Sequence, residues 1–332
     1  MPGRSWSGRP TARPSAGQFL LLLGIISAAL AFEPLSASER ARTAYVTNQP
    51  DDSLSIVDLE TGKTAATVAI PGRPAGVALS PDGARVYVTA PEAKELAVVD
   101  AESRTVLQRV KVGQAPLGIA VHPKDGRIFV ADWYEHRLFA VDPATLQVTA
   151  SVAVGQSPSG VAVTADGALI LTADRDSDQV SFIDAATLTV TGTVKTGGRP
   201  FGVTIDNAGE RAYTANVKTD DVTVIDLRGR KALANVKVGH RPYAVAVTAG
   251  KVFVTNQYAG SVSVFDAASL APLKTVPTGG YPEGIEADRD GRSVYVACWD
   301  ANTLERIDVE TLKVTGQLSV GEGPRAFGKF LH

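Results

Sequence analysis

A repeat of 42 residues constrains this chain more than any other feature. Prolines stand at Pro74, Pro116, Pro158, Pro200, Pro242, Pro282 and Pro324, in steps of 42, 42, 42, 42, 40 and 42. Aspartates at Asp58, Asp100, Asp142, Asp184, Asp226, Asp266 and Asp308 advance by the same steps. The short step has a local cause: the turn Thr248-Ala249-Gly250-Lys251 is two residues shorter than Ser80-Pro81-Asp82-Gly83-Ala84-Arg85. Within the unit 156–197 lie four apolar runs, Val161–Val163, Leu169–Thr172, Val180–Ile183 and Val190–Val194, separated by turn residues. Short β-branched runs between turn signals read as strands. Four strands in one such unit make an up-and-down antiparallel sheet, and sheets repeating at this length are propeller blades. The expected fold is all-β: a seven-bladed β-propeller of four-stranded antiparallel blades, with almost no helix.

The first repeat opens on what is elsewhere the second strand, Ala44-Tyr45-Val46-Thr47-Asn48. Its missing first strand is found at the other end, where Gly323–Phe330 matches the opening of every repeat. The C-terminal strand is therefore expected to complete the first blade, closing the ring and leaving no free inner edge.

Residues 1–31 lie outside the pattern. Arg4, Arg9 and Arg13 precede an apolar run from Phe19 to Phe32, with Ala29-Leu30-Ala31 at its end. A basic start, a short hydrophobic core and small residues at the exit read as a secretory signal. The run falls short of the roughly 20 residues of a membrane span. The expected organisation is a signal peptide over 1–31, a short segment over 32–42 and a propeller over 43–331, in a periplasmic or extracellular bacterial protein with no membrane span after cleavage.

The chain has 33 Lys and Arg against 35 Asp and Glu. Removing residues 1–31 takes three Arg and no acid, leaving 30 against 35, a net charge near −5. A mildly acidic protein is unsuited to general binding of nucleic acid or anionic membrane. The one cysteine, Cys298, permits no internal disulfide, no covalent haem site and no multi-cysteine zinc site.

Tyr-Val-Thr-Asn at 45–48, with Val-Tyr-Val-Thr (86–89), Ala-Tyr-Thr-Ala-Asn (212–216) and Val-Phe-Val-Thr-Asn (252–256), resembles the YVTN-family β-propeller repeat. So do the Pro-x-Gly-Val-Ala-Val and Val-x-Val-x-Asp segments around them. The resemblance covers residues 43–331 and is nearest to the YncE-like periplasmic or surface propellers. It implies a family mostly of unassigned activity, with binding roles proposed for some members. Related repeats also occur in lactonases and in subunits of quinone- or haem-dependent dehydrogenases, so fold alone does not select a function.

The repeat aspartates read as hairpin chemistry. In six of seven repeats Thr or Ser follows three residues on, as at Thr61 and Thr187, which suits a carboxylate bonding turn N–H groups. Function is expected where the repeats differ. In a four-stranded blade the loop into the first strand and the loop between strands two and three share one face, around one mouth of the central channel. Onto that face the sequence places Arg73, Asp132, Trp133, Tyr134, Arg199, Phe201, Arg241, Tyr243, Tyr281, Trp299 and Arg325, the expected binding residues. Arg175, His136, His240, Gln257, Tyr258, Glu283 and Cys298 belong to the same loops. Arginines and aromatics converging on a concavity suit an anionic ligand or an acidic protein partner. The same arginines also fit plain solvated loop charges.

No nucleophile elbow, phosphate loop or catalytic carboxylate pair stands out. The expected function is therefore a non-enzymatic, monomeric binding or scaffold propeller without cofactor or metal, holding a periplasmic protein partner or a small anionic ligand. The alternative is a lactonase-like metal-dependent hydrolase or the propeller subunit of a periplasmic dehydrogenase.

Overall fold

The computed structural model describes residues 42–332; the signal reading of residues 1–31 lies outside them. The described chain forms seven antiparallel sheets set around one axis. Blade 1 spans residues 43–69, blade 2 76–111, blade 3 116–153, blade 4 158–195, blade 5 200–237, blade 6 242–277 and blade 7 282–319. Strands follow in simple up-and-down order from the inner strand outward. One turn of 3-10 helix, Arg175–Ser177, is the one helical element among the described residues, none of which forms a helix long and apolar enough to cross a membrane.

Alternation along the second strands explains the stacking of the blades. Tyr45, Tyr87, Phe129, Leu171, Tyr213, Phe253 and Tyr295 occupy equivalent positions, and all are buried. Fully burying such a side chain is worth roughly 1.5–3 kcal/mol, so this single row binds the ring strongly. The outer strands run half-exposed and polar, as in Lys313–Ser319 with its strict alternation.

The Pro-x-Gly opening acts as a backbone device. In blades 3 to 7 the register shifts between the proline and the residue three positions on, as between Pro158 and Val161. This bulge turns the x residue toward the axis. The glycine then lets the neighbouring blade approach: a Cβ on Gly160 would stand 2.7 Å from the Phe201 carbonyl oxygen. Repeat aspartates cap their hairpins as read from sequence. Asp184 accepts from the Thr187 N–H and hydroxyl, each at 2.8 Å.

The tail closes the ring beside its own beginning. Arg325 N–H donates to the Thr47 carbonyl (2.7 Å), Tyr45 N–H to Phe330 (2.9 Å) and His332 N–H to Thr43 (2.9 Å). Antiparallel bridges join Asn48 to Pro324 and Ala44 to Leu331. The closing strand is less regular than its six counterparts. Ala326 replaces the repeat glycine at φ 44°, and Phe327–Gly328 also pairs in parallel with Gly76–Val77 of blade 2. The irregularity turns Phe327 into the axial aromatic cluster.

Candidate binding site at the channel mouth

The two loop sets of each blade are bonded to each other. Trp133 N–H donates to the Ala115 carbonyl, Arg175 to Ser157, Val217 to Arg199, Gln257 to Arg241 and Trp299 to Tyr281. Both sets therefore lie on one face. Neighbouring blades are clasped as well: Asp52, Asp178 and Asp220 accept from the N–H groups of Arg73, Arg199 and Arg241 at 2.7–2.8 Å. These arginines sit at φ 56–59°, a left-handed conformation uncommon for a residue with a side chain. An aspartate 21 residues earlier holds each one there. His136 takes that aspartate's role in its own blade, with Nδ1 accepting from Ser157 N–H at 3.0 Å.

The channel is stoppered under this face. The x residues Ala75, Leu117, Phe201 and Tyr243 pack together with Phe327. They come from blades 2, 3, 5 and 6 and from the tail, so they meet at the axis. Phe201 lies 4.3 Å from Tyr243 and 5.1 Å from Phe327 between ring centroids, and Tyr243 lies 5.6 Å from Phe327. A ligand entering from this face meets an aromatic floor.

Three of the seven x residues are polar, and two of them make a buried ion pair. Arg325 Nε stands 3.1 Å from Glu283 Oε2 and donates to the Tyr243 hydroxyl at 2.8 Å. Gln257 Nε2 donates to the other Glu283 oxygen at 2.5 Å. Burial pushes the Glu283 carboxyl up from its ordinary value, although Arg325 and Gln257 pull it back. Burial likewise raises the Tyr243 phenol.

Above this floor lies a cationic sector built by blades 4, 5 and 6. Arg175 stacks on Trp133, with 5.3 Å from guanidinium carbon to ring centroid. Burial pushes its guanidinium down from the ordinary value; Asp176 opposes this, and the nearby charges of Arg199 and Arg241 add to it. Asp176 contacts Arg175 at 2.7 Å and Arg199 at 3.7 Å. Arg241 lies over the Tyr258 ring at 4.4 Å, and its Nε is buried with no hydrogen-bond partner among the described residues. Tyr258 in turn meets His240 and Tyr281 edge-on, both at 5.4 Å. Tyr134 and Tyr281 stand exposed on the rim.

Of the residues expected to bind, Trp133, Tyr134, Arg199, Arg241 and Tyr281 are accessible in or beside this sector, with Phe201 and Tyr243 in the floor beneath it. Arg73 pairs instead with Glu92 at 3.6 Å, and Trp299 borders Gly323 of the closing tail. Two residues are placed otherwise than expected. Asp132 is fully buried, its carboxylate occupied by the N–H groups of Gln114, Ala115, Tyr134 and Glu135, so it shapes loops and faces no ligand. Arg325 is neutralised by Glu283 and is not a free loop charge. Arg175 was placed on this face by the sequence but left out of the expected binding residues, yet it joins the cluster together. Its signal is position: it follows the buried residue that ends the second strand, as do Trp133 and Gln257, and this row faces inward.

Cys298 is buried at 0 % exposure beside Glu305, and burial pushes its thiol up. Among the described residues, no group of three or more His, Cys, Asp and Glu is placed to hold a metal ion. A cleft of about 360 Å³ lined by Lys237, Gly239, Ser263, Pro272 and Lys274 lies between blades 5 and 6.

Fold and site together define a closed seven-bladed propeller with a stoppered axis and a cationic, aromatic mouth. The chain belongs to the YncE-like β-propeller family, whose model matches residues 24–127 and 146–332. The YncE proteins of Salmonella typhi and Salmonella typhimurium are each 36% identical to it over 59 residues, 18% of this chain and 17% of theirs. The match thus spans a small part of those relatives' length. Among solved structures, a protein of unknown function from Desulfotomaculum acetoxidans superposes with TM-score 0.75 at 14% identity, covering 88% of this chain and 99% of that one. Kuenenia stuttgartiensis hydrazine synthase gives 0.70 at 18%, covering 77% and 89%. The dihydro-heme d1 dehydrogenase NirN gives 0.66 at 16%, covering 90% and 77%. Likeness at this identity shows the fold alone.

Proposed function

We propose that this protein is an exported, non-enzymatic binding propeller whose mouth holds an anionic ligand or the acidic surface of a partner. One observation carries the reading: Arg175, stacked on Trp133, lies near the charges of Arg199 and Arg241, with Asp176 bridging Arg175 and Arg199 and the buried Glu283 acting on Arg241. Like charges held together by loop geometry cost free energy in the free protein. An anion at the mouth relieves that repulsion and gains charge-assisted hydrogen bonds. The aspartate clasps preset two of the three arginines, which lowers the ordering cost of binding.

The test is calorimetric titration of the full chain with sulfate, citrate and a glutamate-rich peptide, against a variant carrying Arg175→Ala, Arg199→Ala and Arg241→Ala. At least one anion should bind the parent and fail to bind the variant, with the far-ultraviolet circular dichroism spectrum unchanged. Equal behaviour of both proteins toward every anion would remove the reading.

A further inference from the structure

The mouth selects its ligand by shape as well as charge. The aromatic stopper of Phe201, Tyr243 and Phe327 adjoins the arginines through Trp133, which lies under Arg175 and 6.2 Å from Phe201, so a compact anion meets packed rings and not an open shaft. Instead, aromatic side chains spread sideways from the cluster along the rim. Tyr134 is 70% exposed, Tyr258 49% and Tyr281 39%, three of the eight large hydrophobic side chains exposed among the described residues. They come from blades 3, 6 and 7, flanking the arginines of blades 4 to 6. Tyrosine supplies large, rigid contact area at low entropic cost, and with arginine it dominates protein-binding surfaces. Arg241 Nε adds a buried donor without a partner at the centre of this arc.

From this arc we infer that the mouth docks an extended acidic segment of a protein partner, whose carboxylates meet Arg175, Arg199 and Arg241 while its apolar side chains lie on Tyr134, Tyr258 and Tyr281. The inference rests on the proposed binding function and narrows it to a polypeptide.

The probe is a fluorescein-labelled twelve-residue peptide of alternating Glu and Tyr, titrated with the full chain and followed by anisotropy at low and high salt. Sulfate, citrate and a labelled oligothymidine serve as comparators. The peptide should bind saturably and weaken with salt. Arg199→Glu, on a half-exposed side chain, should weaken it at least tenfold, and so should Tyr258→Ala combined with Tyr281→Ala. Arg73→Ala should leave it unchanged. Peptide binding that ignores the tyrosine substitutions overturns the inference. So does tighter binding of oligothymidine, or binding of sulfate or citrate without the peptide; in that last case the anion-binding function survives. Failure of every probe removes both.

Discussion

Arg325 and Glu283 form a buried ion pair 3.1 Å apart at the channel axis, and they come from opposite ends of the ring's closure. Glu283 belongs to blade 7 and Arg325 to the tail that completes blade 1. The pair links function to architecture, because the strand that seals the propeller also sets the floor of its mouth.

Removing one member should therefore be costly. Arg325→Ala leaves Glu283 buried without its counter-ion, and breaking a buried pair in this way costs about 3–5 kcal/mol. Urea denaturation should show a clearly lowered midpoint. Adding Glu283→Gln to Arg325→Met should recover part of the loss, since no buried charge then remains. A single variant as stable as the parent contradicts the placement of Arg325.

Tail deletion gives a broader test of closure. Without residues 323–332 the backbone bonds to Thr43, Tyr45 and Thr47 are lost, and Phe327 and Phe330 leave their packing. The melting temperature should fall sharply, and an exposed inner edge should promote aggregation. A truncated chain that melts like the full one contradicts closure.

Glu286 gives the closure a pH dependence. Its carboxylate accepts from the N–H groups of Phe330 and Leu331, with Lys329 at 3.7 Å. Burial pushes its carboxyl above the ordinary 4.5, against the opposing pull of Lys329 and the two N–H groups. The native state thus holds this proton more tightly than the unfolded chain. Its contribution to stability is full below about pH 4.5 and declines as pH rises through the raised folded value. Thermal melts from pH 5 to 8 should show a smaller decline for Glu286→Gln than for the parent. Parallel curves would contradict this role.

Cys298 should behave as a sealed thiol. Burial raises its pKa, and only the thiolate reacts with disulfide reagents. Labelling in native buffer should be slow and should accelerate with urea in step with unfolding. Rapid native labelling would contradict its burial.

Most of the architecture was legible in the sequence because a propeller writes itself seven times. The proline and aspartate series set blade number, the Asp-x-x-Thr turns were read correctly as hairpin caps, and the match of 323–330 to the repeat opening revealed closure. Substitutions within the repeat were harder to read. In blade 6 Asn256 Oδ1 accepts from Gly239 N–H at 3.0 Å; in blade 7 Cys298 stands at that position, and Glu305 reaches across to accept from Gly279 N–H at the same distance. The exchange spans two strands, so neither position explains the other in sequence. Asp132 misled for a similar reason: a carboxylate in a functional loop is indistinguishable by sequence from one consumed by backbone N–H groups. Arg325 was grouped with Arg199 and Arg241, which precede their prolines, but it follows Pro324 and so takes the inward x position, where it meets Glu283.

The most direct measurement of the mouth as a binding surface is the indole proton–nitrogen resonance of Trp133, which lies under Arg175. On titration of the full chain with the acidic peptide, this resonance should shift saturably, and the shift should vanish in the Arg175, Arg199 and Arg241 triple alanine variant. A Trp133 resonance that stays fixed while the peptide binds elsewhere, or that shifts equally in the variant, would contradict it.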